Sequence, residues 1–429
     1  MVIASEQFET VIGLEVHVQL ITNSKMFCSC DANYSGAEPN THVCPVCLGL
    51  PGVLPVINEE AIRLIVGIGL SLNCTVSSFS KFDRKNYLYP DLMKGYQVSQ
   101  FDLPICENGW QDLEINDNLF RCGITRVHME EDTARLLHRK DAQTGSSYSL
   151  VDINRSGIPL VEIVSEPDMR SPEQARAYLI SLRQLLRMIR ASNANMEEGN
   201  FRCDANISLR PFGETELGTK VEIKNMNSFR SVYDALCFEQ IRQAKALIAD
   251  ENIVQETRGW NQEKGITVRQ RVKEEANDYR YFPEPDLPPL IFSDDFVENI
   301  RSEIPELPAA KKQRFVSLGL NEFEAGTLSE DRARANYFDN LVESLEEKSE
   351  RAPKLAANWI LGEVARWDNE HVGKELSEFP IRADSLAELI MLTDEGVITN
   401  AVAKQVFEKM LGNGLGAKQI VEKDGLAQM

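Results

Sequence analysis

Three segments of this chain share one two-residue rhythm, and that rhythm limits the folds open to it. In VIGLEVHVQL, residues 11–20, Ile12, Leu14, Val16, Val18 and Leu20 alternate with Glu15 and His17. In NFRCDANISLRP, Phe201, Cys203, Ala205, Ile207 and Leu209 alternate with Arg202, Asp204, Asn206 and Ser208; in TKVEIKNMNSF, Val221 and Ile223 alternate with Lys220, Glu222 and Lys224. Successive side chains of a strand point to opposite sides of a sheet, so each segment is expected to have an apolar underside and an ionisable upper face. The glycine-containing connection between the last two suits a hairpin. A solvated sheet and the floor of a polar cavity share this pattern, and the strands alone leave both open.

Two further segments favour the cavity. IPLVEIVSEPD is apolar for seven residues except at Glu162, whose unpaired carboxylate would be costly to bury and so demands a cation. ITRVHMEEDTARLLH gathers His128, Glu130, Glu131 and Asp132 behind a short strand. Hard divalent ions such as magnesium take one or two carboxylates plus substrate phosphates, which makes Glu131 and Glu162 the first choices; an exposed acidic turn is the alternative for HMEED. In KFDRKNYLYPDLMKGYQVSQ, Arg84, Lys85 and Lys94 are interleaved with Tyr87, Tyr89 and Tyr96, a pattern open to phosphate contact or to a structural strand. The chain has no phosphate-binding P-loop, dinucleotide fingerprint, nucleophile elbow or H-E-x-x-H helix. Any ATP would therefore lie on a sheet floor beside a carboxylate-held metal.

The cysteines carry a separate signal. Cys28 and Cys30, then Cys44 and Cys47, form two close pairs with the spacing of a tetrahedral thiolate zinc site, His42 being an outside candidate and small core residues the alternative. Four thiolates leave no open coordination position, so such a zinc is expected to be structural and remote from the chemistry. Nine cysteines, an odd number, fit reduced thiols and a cytoplasmic location better than a disulfide framework. No apolar stretch approaches a membrane span. A net charge of −20 disfavours indiscriminate binding of nucleic acid, so any such contact must be local and shape-dependent.

The texture changes once. Strand-like runs and a few helices end at NDYRYFPEPDLPPLIF, where Pro283, Pro285, Pro288 and Pro289 forbid helix or central strand. Beyond about residue 295, helical spacing dominates. In the first half, Ser171, Pro172 and Gln174 predict a capping box opening a helix that buries Tyr178, Leu179, Leu182, Leu185, Leu186 and Ile189. Arg176, Arg183, Arg187 and Arg190 line another side of it, read as a solvated stripe.

Taken in order, IGLEVHVQL, KMFCSC, CPVCLGLPGVLPVIN, DRKNYLYPDLMKGYQVSQ, HMEEDTARLLH, DINRSGIPLVEIVSEPDMRSP, MEEGNFRCDANISLRP, TKVEIKNMNSF and DYRYFPEPDLPPL resemble the B-subunit family of the tRNA-dependent aspartyl/glutamyl amidotransferases. The resemblance implies an α+β fold with a largely antiparallel-sheet catalytic cradle related to glutamine synthetase; the proline boundary sets it at residues 1–295, and the cysteine spacing puts a zinc-binding insertion in it at 28–47. An all-helical domain over 296–405 and the start of a truncated tail domain over 406–429 would follow. It implies a ligase. ATP phosphorylates the side-chain carboxylate of glutamate or aspartate mischarged on tRNA, and ammonia then displaces phosphate. Carried over by motif, His17, Glu131 and Glu162 match the family's magnesium-site residues, with Glu15 as an outer-shell or second-metal partner. Glu15 and His17 would then face the cavity. Lys85, Arg202, Lys220 and Lys224, chosen from the polar faces, are candidates for phosphate or acceptor-end contacts. No cysteine has the setting of a glutaminase nucleophile, so the ammonia is expected from an amidase A subunit, with a small C subunit completing a heterotrimer. YRYFPEPDLPP is a candidate wall for its passage. Two other classes stand beside this one: a free-standing ATP-dependent carboxylate-amine ligase, and a non-catalytic zinc-containing RNA-binding module.

Overall fold

The computed structural model describes residues 7–115, 118–272, 279–346, 349, 351–371 and 376–427; Asp278, at the start of the proline-rich stretch, lies outside them. The chain falls into two compact units, Met1–Ile304 and Pro305–Met429. In the first, the strands that build the site are β1 (Phe8–Gln19), β2 (Thr75–Val76), β3 (Asp83–Asn86), β4 (Tyr96–Ser99), β5 (Cys106–Ile115), β6 (Asn118–Glu131), β7 (Pro159–Ser165), β8 (Phe201–Pro211), β9 (Val221–Met226), β10 (Glu256–Asn261) and β11 (Ile266–Val272). All but β3 and β4 belong to one sheet of order β11-β10-β9-β8-β1-β7-β6-β5-β2. Its pairs are antiparallel except β9 with β10. The first strand of the chain therefore lies at the centre of the sheet.

The two-residue rhythm becomes two faces. Ile12, Leu14, Val16 and Val18 are at most 1 % exposed and join Val127, Met129, Val161, Ile163, Ala205, Ile207, Val221 and Ile223 in one apolar cluster. Helices α1 (Glu59–Ser71), α2 (Pro172–Met188) and α3 (Phe229–Ile248) supply the rest of that core. Tyr178, Leu179, Leu182, Leu185 and Leu186 are the buried stripe of α2, with Ile189 partly buried just past its end; Arg176, Arg187 and Arg190 are exposed, but Arg183 departs from the expected solvated stripe, half-buried with its guanidinium 5.8 Å from the centre of the Phe229 ring. Ser171 caps α2 by accepting from the Gln174 N–H at 3.2 Å. The other half of the expected capping box is displaced by one residue: the Gln174 side chain accepts from the Arg170 N–H at 2.5 Å, the extended Ser171 backbone presenting that amide to the first turn. Helix α3 is the crossover that makes β9 and β10 parallel, a connection no short hairpin could provide. Helix α4 (Asp294–Glu303) follows the prolines yet belongs to the first unit, its Ile300 lying beside Gly67 of α1.

In the second unit the named elements among the described residues are all helices, from α5 (Pro308–Ser317), α6 (Glu322–Ser329), α7 (Arg332–Glu346) and α8 (Ala352–Trp359), through a π-helical turn at Ile360–Val364, α9 (Ala365–Glu370) and a 3-10 turn at Leu376–Glu378, to α10 (Ala383–Asp394), α11 (Asn400–Asn413) and α12 (Ala417–Asp424). Phe315, Phe338, Leu341, Leu389 and Phe407 lie in a core of its own. Among the described residues no helix is long and apolar enough to cross a membrane.

Candidate active site

Register brings the polar side chains of separate strands into one row. Across β6, β7, β1 and β8, His128 lies opposite Glu162, Glu162 opposite His17, and His17 opposite Arg202. Glu130, two residues along β6, joins them because residues two apart share a face. The ligand atoms of His17, Glu130 and Glu162 all lie within 4.8 Å of one another. His17 Nε2 is 3.5 Å from Glu162 and 4.0 Å from Glu130; His128 Nε2 is 3.3 Å from Glu162 and 3.7 Å from Glu130. Beside the sheet, β3 and β4 supply Lys85, 3.7 Å from Glu130, with Ser99 and Gln97 donating to the same carboxylate at 2.8 and 3.1 Å.

Charge in this group is mutually enforced. Burial opposes ionisation of both imidazoles, but the facing carboxylates outweigh it, raising His17 above its usual value and His128 to about 9. Burial opposes ionisation of the carboxylates too, yet Lys85 and His128 hold Glu130 down to about 2, and the two histidines hold Glu162 well below the usual range. Both acids are thus anionic at neutral pH, and two buried carboxylates suit a hard divalent cation such as magnesium, with His17 at their side.

The structure brings Glu130, not Glu131, to this cluster. Strand alternation turns Glu131 away, and its carboxylate is taken by Lys94 at 2.5 and 2.6 Å and by the Val98 N–H at 2.9 Å. The signal was present in the sequence, since Glu130 has the parity of His128 and Glu131 does not. Glu15 is half-buried one step along β1, its Oε1 accepting from Asn206 at 2.8 Å. Farther across the floor Lys224 pairs with Asp204 and, at 3.2 Å, with Glu222. Lys220 precedes β9 and is exposed. Asp132, the last acid of the HMEED run, is 2 % exposed, accepting from Arg202 at 3.0 Å and Gln19 at 2.6 Å, with Arg155 3.7 Å away. Next to this group opens a cleft of about 1020 Å³, walled by Gln19, Tyr34, Arg135, Arg155, Asn193 and Glu197 among others.

The four thiols converge as well. Cys28, Cys30, Cys44 and Cys47 place their sulfurs within 4.8 Å of one another, and Cys47 is 4.0 Å from both Cys30 and Cys44. Sulfurs arranged tetrahedrally about zinc stand about 3.8 Å apart for bonds of about 2.3 Å, so the set fits that ion. A hydrogen bond from Cys28, helped by the Lys25 ammonium at 3.8 Å, brings the Cys47 thiol down to about 4 despite burial. His42 contributes its ring to the Asp31 carbonyl instead.

A family model described as the GatB/GatE catalytic domain matches residues 10–298, and one described as the GatB domain matches 336–429. The chain is 53% identical over 429 residues to the B subunit of an aspartyl/glutamyl-tRNA(Asn/Gln) amidotransferase from Dehalococcoides mccartyi, covering 99% of this chain and 87% of that protein. The proteins of the same name from Thermoanaerobacter pseudethanolicus and Thermomicrobium roseum are 51% and 53% identical over 424 residues, covering 99% of this chain and 87% and 86% of theirs. The chain belongs to the B-subunit family of the aspartyl/glutamyl-tRNA amidotransferases.

Proposed function

We propose that this chain is the kinase-and-amidation component of a tRNA-dependent amidotransferase, a carbon–nitrogen ligase using glutamine as amide donor. The carrying observation is the convergence of His17, Glu130 and Glu162 on the floor of a sheet that the catalytic-domain family matches. The substrate is glutamate or aspartate esterified to tRNA. Its side-chain carboxylate takes the γ-phosphoryl group of ATP with loss of ADP; ammonia then attacks the acyl carbon and phosphate leaves. The ammonia comes from an amidase A subunit, with a small C subunit completing the assembly in the cytoplasm. Residues 1–304 form the catalytic cradle, of glutamine synthetase type, with α4 kept inside it, and 305–429 form the helical unit, α11 running unbroken across residue 405. The proline-rich segment after residue 278 walls the ammonia passage.

Glu130 and Glu162, with His17 beside them, would hold magnesium, which when bound offsets charge on the phosphoryl oxygens, the main requirement of phosphoryl transfer. Lys85 keeps Glu130 anionic and adds positive charge at the same edge. Glu15 lies beside His17 on β1, Lys220 and Lys224 border the floor on the β9 side, and Lys224 and Arg202 are suited to phosphate or acceptor-end oxygens. Cys28, Cys30, Cys44 and Cys47 would hold zinc, which supplies a cross-link within the one irregular connection between β1 and α1.

The test uses the assembled complex with charged tRNA. Glu162→Gln keeps the shape and removes the charge, so amide formation on tRNA is expected to be abolished while the partner's glutaminase persists at its tRNA-independent level. ATP hydrolysis should respond to aminoacylated tRNA and not to a free amino acid, which separates this reading from a free-standing ligase. Full amidation by Glu162→Gln would overturn it.

A further inference from the structure

The tetrathiol module is joined to the reaction centre by two hydrogen-bonded routes, the first through side chains and the second partly through backbone. Along the first, the Tyr34 hydroxyl, in the loop between the cysteine pairs, exchanges hydrogen bonds with Gln19 at 3.2 and 3.3 Å, and Gln19 donates to Asp132 at 2.6 Å. Along the second, the module grips residues 151–155. The His42 N–H donates to Asn154 Oδ1 at 2.8 Å and Asn154 Nδ2 to the Glu38 carbonyl at 2.8 Å. Asn40 Oδ1 accepts from the Ile153 N–H at 2.7 Å, and the buried Lys25, which also approaches Cys47, reaches the Ile153 carbonyl at 3.4 Å. The next residue after Asn154, Arg155, faces Asp132 and fixes its neighbours by donating to the Thr133 and Ala134 carbonyls at 2.9 and 3.0 Å.

Both routes end on one carboxylate. Asp132 is acceptor to Gln19, to the Thr133 N–H at 2.9 Å and to Arg202, and its backbone is locked between Ile158 and Gly157 at 2.8 and 2.9 Å. Arg202 stands at the strand position opposite His17, and its Nε is buried without a hydrogen-bond partner. A guanidinium held at one nitrogen and unsatisfied at another is poised to receive an oxyanion, because a buried unpaired donor is costly until it is met.

We infer that Asp132 is a positioning residue for Arg202, and that the tetrathiol module, through Tyr34–Gln19 and Arg155, sets where that guanidinium stands beside the metal-binding row. The inference rests on reading His17, Glu130 and Glu162 as the reaction centre. It makes the thiol module part of the site's geometry, where spacing alone suggested a remote staple. Groups that orient a site residue without touching substrate commonly contribute about ten- to a hundredfold to activity.

The experiment is a pair of double-mutant cycles on the assembled complex, reading kcat and KM for charged tRNA and ATP, with zinc content and melting temperature measured on each variant. Tyr34→Phe removes only the hydroxyl link. It is expected to keep one zinc per chain and the parent melting temperature, yet to lower kcat/KM about threefold, and Asp132→Asn to lower it about tenfold or more. In an Arg202→Lys background, where the forked guanidinium is gone, both effects should shrink to less than about twofold, since residues on one route do not add. Effects that multiply in full, or a Tyr34→Phe variant with parent kinetics, would overturn the inference while leaving the inactivity of Glu162→Gln, and so the proposed function, untouched. A loss confined to melting temperature in all variants would also overturn it, since it would show a merely structural module.

Discussion

The four charges of His17, His128, Glu130 and Glu162 give the chelator-treated protein a pH-dependent stability whose sign follows from the shifts of His128 and Glu130. His128 titrates at about 9 when folded against an ordinary 6.5, so its contribution is complete below pH 6.5 and is lost as pH rises through 9. Glu130 titrates at about 2 against 4.5, so its contribution is complete above pH 4.5 and is lost as pH falls through 2. Chelator-treated protein is therefore expected to be most stable between these limits, its urea midpoint declining from pH 6.5 to 9. His128→Asn should lower the midpoint at pH 6 and flatten that decline; equal slopes in the two proteins would refute the assignment. At this scale the sequence was legible wherever parity alone decides. Glu15 and His17 against Val16 and Val18 could be sorted by counting. Choosing Glu130 over Glu131 required applying the same count to HMEED, and what Asp132 of that run does was hidden because its partners, Gln19, Arg155 and Arg202, come from three distant segments that no local pattern links.

Elements were legible when their caps and stripes were local. Helix α2 announced itself by Ser171, Pro172 and its leucines, and β8 and β9 by a hairpin connection. The order of strands was not, because neighbours of β1 are set by pairings more than a hundred residues away in sequence. Nor was the fit of α1 to β5. A Cβ added at Gly69 would fall 2.2 Å from Cys106 Sγ and 2.8 Å from its Cβ, and Cys106 is fully buried. Alanine is the better helix former by about 1 kcal/mol, but overpacking a filled core costs about 1–3 kcal/mol. Gly69→Ala is accordingly expected to lower the thermal midpoint, and a raised midpoint would show that α1 can shift away from β5.

For the molecule as a whole, two separate hydrophobic cores imply two units able to stand apart. Residues 305–429 expressed alone should show helical circular dichroism and a cooperative thermal transition; a broad, non-cooperative melt would mean that the second core is incomplete without the first. The central place of β1 has a different consequence, one of timing. Its partners β7 and β8 are made long after it, and the ribosome adds about 5–20 residues per second, so roughly 10–40 s pass before both have been synthesised. Throughout that interval Ile12, Leu14, Val16 and Val18 form an unpaired, sticky ribbon with both edges open, the kind of segment that draws chaperones or seeds aggregation. The nascent chain has to reach Pro211 before His17 can sit between Glu162 and Arg202, so the polar floor is born late, from the oldest strand of the polypeptide.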